Sequence, residues 1–219
     1  METKTPTKVC ALTFDDGPSN TTSEILDLLE KYGFTASFFV IGNRITSDEQ
    51  RDVMRRAVKL GCTIENHSKT HGRLCDMGRD EILEEFNYTQ ELVQKIVGDY
   101  PQFFRAPGLA ANELVHEVLP LPFANGGCGS ADWNSREDDS VTSDLETRVK
   151  GILNVAKDGH IFLMHDCTNN HLTPAALRIT LPKLIEDDYR FVNIRELFRI
   201  KGVTPKAHSG FGWSRVDEA

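Results

Sequence analysis

Two acids stand side by side at Asp15-Asp16, and two histidines stand four apart at His67 and His71. Imidazoles at that spacing can turn to one side and share a divalent ion, with a carboxylate from elsewhere completing a three-ligand set. Such a set leaves coordination positions open for water and substrate. Neighbouring side chains on an extended segment diverge, so one aspartate can ligate while the other faces the bound water as a general base. The plainer alternatives are a polar loop for the histidines and an Asp-Gly-Pro turn with solvated acids. Arg105 is either a salt-bridging surface residue or the cation that keeps Asp15 ionised and oriented. His165 is either a satisfied histidine at the rim of the core or a general acid, with Asp132 raising its pKa through an ion pair. Trp133 reads equally as core or as substrate platform. His116, His160, His171 and His208 receive no role.

Position is what makes these residues a set, because each group follows a short apolar run. Val9 to Phe14 reads as a buried strand ending in Asp15-Asp16-Gly17-Pro18. Thr35 to Ile41 is the next strand, and Cys62 to Ile64 leads to His67-Ser68-Lys69-Thr70-His71. Gln102 to Phe104 ends in Arg105-Ala106-Pro107-Gly108, Phe123 to Asn125 precedes Asp132-Trp133, and Ile161 to Met164 ends in His165-Asp166. Phe191 to Ile194 is the last strand. Between them apolar residues recur at helical spacing. Ile25, Leu28, Leu29 and Tyr32 mark one helix, with Thr21 and Glu24 as its capping box and Gly33 as its stop. Ser47 and Gln50 open a second, which Gly61 closes, and Ile82, Phe86, Thr89, Val93 and Ile96 share a face of a third. Shorter helices cover Asn112 to Val118 and the segment around Leu145 to Ala156. Pro174 suits the first turn of the following helix, and Pro182 is expected to kink it. Alternation of this kind predicts a single-domain parallel α/β fold, as a closed barrel or an open doubly wound sheet. In either, the carboxyl ends of the strands converge, so the polar clusters meet. The tail from Lys201 onward is a loose end or a flap over the barrel, with Phe211 and Trp213 hinting that part of it docks.

The whole chain bounds the function. Its 219 residues, 39% hydrophobic and 26% charged, describe an ordinary globular domain rather than a disordered one. A net charge of −8 argues against a nucleic-acid partner, which needs a basic surface, and leaves neutral substrates open. No apolar stretch reaches membrane-spanning length, so no membrane partner is expected. The polar stretch Met1 to Lys8 lacks the apolar core of a secretory signal. The expected setting is secretion with the signal absent from this chain, a cytoplasmic one being the alternative. Cys10 and Cys62 read as buried small hydrophobes; Cys75 and Cys167 are considered as neighbours, and Cys128 makes the cysteine count odd.

Taken in order, Thr13-Phe14-Asp15-Asp16-Gly17-Pro18, His67-Ser68-Lys69-Thr70-His71, Arg105-Ala106-Pro107, Asp132-Trp133 and Leu163-Met164-His165-Asp166 resemble the polysaccharide deacetylase family, carbohydrate esterase family 4. The resemblance spans about the first four-fifths of the chain, and ordered motifs are far more specific than any one alone. It implies a distorted (β/α)7-8 barrel in residues 1–200, followed by the 201–219 tail, and one divalent ion, zinc or cobalt. It further implies Asp16, His67 and His71 as ligands, Asp15 as base, His165 as acid, Arg105 positioning Asp15 and Asp132 orienting His165. Leu163 and Trp133 are then expected to line the acetyl pocket. Two departures stand out. Gly108 and Leu109 replace the usual tyrosine and glycine, leaving the Gly108 N–H to serve the oxyanion, and Gly129 replaces an upstream aspartate. Pro107-Gly108-Leu109, Ala131-Asp132-Trp133 and the helix from Thr173-Pro174 look most like the acetylxylan esterase branch. The resemblance therefore implies hydrolysis of O-acetyl groups of acetylxylan by metal-bound water. N-deacetylation of chitin or peptidoglycan-type oligosaccharides is the runner-up, and a metal phosphoesterase or an inert carbohydrate-binding domain stands further off.

Overall fold

Burial alternates along the first strand, and that alternation organises the rest. The computed structural model describes residues 7–127 and 145–217. In β1 (Lys8–Asp15), Cys10, Leu12 and Phe14 join the large apolar cluster beneath the helices. Val9 and Ala11 belong instead to a second cluster with Phe39, Phe103, Ala124, Ile161 and Val192. A strand apolar on both faces is one covered by helices on one side and enclosed on the other. The same period of two sends Thr13 and Asp15 to the enclosed face.

Parallel ladders join β1 to β2 (Ser37–Val40), to β5 (Ile161–His165) and, in its first half, to β6 (Tyr189–Val192). A further parallel ladder joins β2 to β3 (Thr63–Asn66). Beyond β3 single bridges carry the sheet on, from Asn66 to Phe104 and from Phe104 to Phe123. There β4 (Phe123–Ala124) pairs with β7 (Gly212–Trp213) from the tail, and Arg215 bridges to His160 just before β5. Helices α1 (Asn20–Tyr32), α2 (Asp48–Lys59), α3 (Arg79–Val97), α4 (Glu113–Val118), α5 (Leu145–Val155), α6 (Leu172–Glu186) and α7 (Ile194–Ile200) punctuate the strands. The result is the expected single-domain distorted (β/α) barrel. No helix among the described residues is long and apolar enough to cross a membrane.

Several local expectations change for identifiable reasons. The cap of α1 is Ser19 rather than Thr21: its hydroxyl accepts from Thr21 N at 3.0 Å, and Thr22 Oγ1 accepts from Ser19 N at 2.8 Å. Ser19 wins because its hydroxyl also donates to Asp166 O, fastening the helix start to the end of β5. Gln102 to Phe104 is a single bridge, not a strand, since the Gln102 and Phe103 N–H groups donate to the buried Glu65 carboxylate at 2.8 and 2.9 Å. Pro182 does not end α6, which continues from Leu172 to Glu186 with Leu181 and Leu184 buried. The last strand stops at Val192, where Asn193 caps α7 by accepting from Glu196 N at 2.8 Å.

Cys10 and Cys62 are buried, as their apolar settings implied, and Cys75 and Cys167 form no disulfide with each other. Burial pushes the Cys10 thiol up to about 12 and that of Cys62 up to about 11. Neither forms appreciable thiolate near neutrality, and thiolate is the reactive form. Peptide mapping after iodoacetamide treatment of native protein at pH 8 is expected to find both unmodified, with both alkylated once urea unfolds the chain.

Candidate metal centre and catalytic residues

The ladder between β1 and β5 sets Asp15 directly opposite His165, each the last residue of its strand. Alternation turns both toward the enclosed side, and Leu163 shares the His165 face one period below. Asp15 is 3% exposed, and its Oδ1 accepts from Arg105 Nη1 at 2.6 Å. Arg105 is itself fully buried. Its Nε donates to Ala124 O at 2.8 Å, its Nη2 to Asn125 O at 2.7 Å, and the guanidinium lies 4.1 Å from the Phe39 ring centre. Each nitrogen of the cation thus has an acceptor, as burial of a charge requires.

One residue on, Asp16 turns away with φ 78°. Its Oδ1 lies 3.3 Å from His71 Nε2 and 3.7 Å from His67 Nε2, and the three ligand atoms all fall within 4.8 Å of one another. That oxygen is buried and accepts no hydrogen bond. A carboxylate oxygen without a donor, faced by two imidazole nitrogens, is a donor set that fits a divalent cation. His67 is prepared for the role: its Nδ1 lies 2.8 Å from Arg105 O and donates to it, which leaves the Nε2 lone pair toward Asp16. Burial lowers the His71 pKa below the ordinary imidazole range, and His67 beside it pushes the same way, so His71 stays neutral as a ligand must. For Asp16, burial alone would raise the pKa, but His67, His165, His71 and Arg44 together hold it below the usual carboxylate range.

The loop that carries the histidines is strained. Ser68 and His71 have φ of 66° and 64°, where residues other than glycine are uncommon. What holds it is α3. Asn66 donates to Phe86 O and Gln90 Oε1 while its own Oδ1 accepts from Ser68 N at 2.9 Å. The Thr89 hydroxyl donates to Ser68 O at 2.9 Å, and Ser68 Oγ accepts from His71 N at 3.0 Å. Glu85, buried on the same face of α3, accepts from Lys69 N at 3.0 Å and Thr70 N at 2.8 Å through one oxygen. Its other oxygen accepts from the Thr70 hydroxyl at 2.8 Å.

Asp15, Asp16, His67, His71, Arg105 and His165 therefore meet where their strand ends placed them, with Leu163 two residues before His165 on the same strand. Gly108 lies in the 3-10 turn Pro107–Leu109 directly after Arg105. Asp132 and Trp133, with Gly129 and Cys128, fall outside the described residues. Two residues that support the site were not singled out. Glu85 sits between Ile82 and Thr89 on the apolar face of α3, and a lone acid on such a face is the signal that would have found it. Asp166 follows His165 directly, is fully buried, and accepts from Thr22 Oγ1. Burial pushes its carboxyl up to about 7, with Asp16 and Asp15 adding in the same direction. Gly17 has no side chain because a Cβ there would collide with the Asp166 carboxyl.

Residues 2–120 match the family model described as polysaccharide deacetylase. The chain is 38% identical over 209 residues to a bifunctional xylanase/deacetylase of Pseudobutyrivibrio xylanivorans, an alignment covering 95% of this chain and 33% of that protein. It is 35% identical over 192 residues to a peptidoglycan-N-acetylglucosamine deacetylase of Listeria monocytogenes, covering 87% of this chain and 39% of the other. The chain thus spans well under half the length of these relatives. A family 4 acetyl xylan esterase from Clostridium thermocellum, solved with a cobalt ion, superposes with a TM-score of 0.87 at 35% identity, over 95% of this chain and 99% of that one.

The Glu85 bonds carry a consequence for the ion. Second-layer partners of this kind are worth about 10- to 100-fold in metal affinity. Glu85→Ala is expected to weaken zinc binding by that order in competition with a chromophoric chelator. Glu85→Gln, which keeps one acceptor, should fall between the two; equal affinity in all three proteins would remove Glu85 from the site.

Proposed function

Because the chain belongs to the polysaccharide deacetylase family, we propose that it hydrolyses acetyl groups from carbohydrate, specifically the O-acetyl esters of acetylxylan. The observation that carries this reading is the pairing of Asp15 and His165 across one ladder, beside a separate donor set of Asp16, His67 and His71. Two proton-transfer groups and a ligand set stand together without sharing a residue. Asp16, His67 and His71 would hold a divalent ion, zinc or cobalt, which would supply Lewis acidity for attack by water on the acetyl group.

The protein's own groups do the rest. Arg105 holds Oδ1 of Asp15, leaving Oδ2, 3.8 Å from His67 Nε2, to accept the proton of the attacking water. The Gly108 N–H steadies the oxyanion as the carbonyl becomes tetrahedral. His165, oriented by Asp132, protonates the sugar oxygen as it leaves, while Leu163 and Trp133 exclude water around the acetyl methyl. A net charge of −8 and the xylanase/deacetylase relative favour a neutral xylan over anionic wall polymers.

The test is acetate release from acetylxylan and from chitin oligomers, before and after chelation and with zinc or cobalt restored. Acetylxylan is expected to be the better substrate, and acetate release should stop on chelation and return with the ion. Asp15→Ala and His165→Ala are each expected to lower kcat by about 100-fold or more. The His165 variant should lose less on an ester than on an amide, since without the acid an alkoxide leaves far more readily than the anion of an amine. Release from chitin oligomers alone would replace the ester reading with N-deacetylation. Near-wild-type turnover by either variant would remove that residue from its role.

A further inference from the structure

A cleft of about 700 Å³ opens between α4 and the tail, with Asn112, Glu113, His116 and Glu117 on one wall and His208 and Ser209 on the other. It runs into a smaller hollow of about 310 Å³ bounded by Ala106, Leu109, Asn125 and Phe211, the two sharing Ala111, His116 and Gly210. The hollow begins where the chain leaves Arg105: Ala106 is the next residue, and Asn125 O accepts from Arg105 Nη2. Combined, these spaces are of a size that takes a ligand larger than one acetyl group.

The walls are held firmly. Gly212 lets β7 lie against β4, since a Cβ there would collide with the Asn125 side chain. Trp213 packs edge-on against Phe198 at 5.2 Å, and Phe211 packs edge-on against Trp213 at 5.2 Å. His208 Nδ1 lies 2.9 Å from His116 O, tying the tail to α4. Phe211 is 51% exposed, with Trp213 packed against it. A large aromatic ring left in water beside a cleft is a ready stacking surface. The polar side chains lining the two spaces are the Glu113 and Glu117 carboxylates, the His116 and His208 imidazoles, the amides of Asn112 and Asn125 and the Ser209 hydroxyl, and no lysine or arginine is among the described lining residues. That lining repels anions, and its carboxylates and imidazoles suit a ligand with many hydroxyl donors.

We propose that this cleft is a second carbohydrate site, which holds unacetylated stretches of a neutral polysaccharide main chain, with one sugar face stacked on Phe211 and sugar hydroxyls donating to Glu113 and to the imidazole of His208. It rests on the deacetylase reading and deepens it, by keeping a long substrate on the enzyme while acetyl groups elsewhere along it are removed. Small esters have no such second stretch and do not use the cleft.

Calorimetric titration with xylohexaose and, separately, chitohexaose tests this, because xylohexaose has no acetyl group and its binding is read whether or not acetate is released. Wild-type protein is expected to bind xylohexaose, and Phe211→Ala to bind it about ten-fold more weakly. Phe211→Trp should retain binding, and both variants should keep the wild-type Tm. On acetylxylan, Phe211→Ala should raise KM by a similar factor at unchanged kcat, with xylose tetraacetate hydrolysed as before. Binding of chitohexaose alone, lost in Phe211→Ala, would keep the cleft and overturn the acetylxylan reading. No binding of either sugar by wild-type protein, or equal binding by Phe211→Ala, would overturn the cleft.

Discussion

Arg105 is the residue on which the interior turns. A guanidinium with no exposure would carry a desolvation penalty of several kcal/mol if it met only apolar neighbours. Here it meets Asp15 on β1 and two carbonyls at and just after β4, while its own carbonyl accepts from His67. Those contacts tie the base candidate and a ligand histidine to one rigid group. They also add to backbone pairing. Between β3 and β4 the sheet is carried by single bridges, and the arginine side chain adds bonds to the Ala124 and Asn125 carbonyls there. Removing one partner of a buried pair like this typically costs about 3–5 kcal/mol, since the other charge is left stranded. Closure of the barrel and orientation of Asp15 are therefore the same interaction seen from two sides.

The ligand loop shows the complementary arrangement, in which strain is stored and then offset. Asp16, Ser68 and His71 all sit at positive φ, at about 1–3 kcal/mol each. Those conformations swing Asp16 and His71 toward each other. A free loop would relax out of them. It does not, because Asn66, Glu85 and Thr89 give the backbone groups of Ser68 to Thr70 partners that exist only in this conformation. The ligand geometry is set by α3 as much as by the strand end that delivers it.

This division explains what could be read from the chain and what could not. Motif residues were legible because they follow apolar runs: a strand must end, and in a parallel fold its carboxyl end points to a shared rim. Strand ends bring Asp16 and the histidine loop to one rim, and that much could be read from the chain. Ser19 was passed over in favour of Thr21 because local capping rules do not see its tertiary bond to Asp166. The Gln102 to Phe104 run has the composition of a strand, and only the distant Glu65 shows why the Gln102 and Phe103 N–H groups do not join a ladder. Glu85 and Asp166 act through buried carboxyls whose partners lie 15 and 144 positions away. Periodicity reports which face is buried, not what a buried polar group bonds there.

Several departures from local rules gather around the site. The incomplete ladder lies beside Arg105, the strained backbone beside the ligands, and the glycine that tolerates the Asp166 carboxyl between Asp16 and Pro18. A barrel with full ladders and relaxed turns would be the more regular fold, but its rim would present paired backbone where this one presents side chains. The gap after β3 leaves room for a guanidinium to reach Asp15, and the short β4 leaves an edge that the returning tail covers with β7. The tail's aromatic residues are thereby brought next to the loop that follows Arg105. Irregularity in the wall is thus what admits both the buried arginine and the cleft beside it.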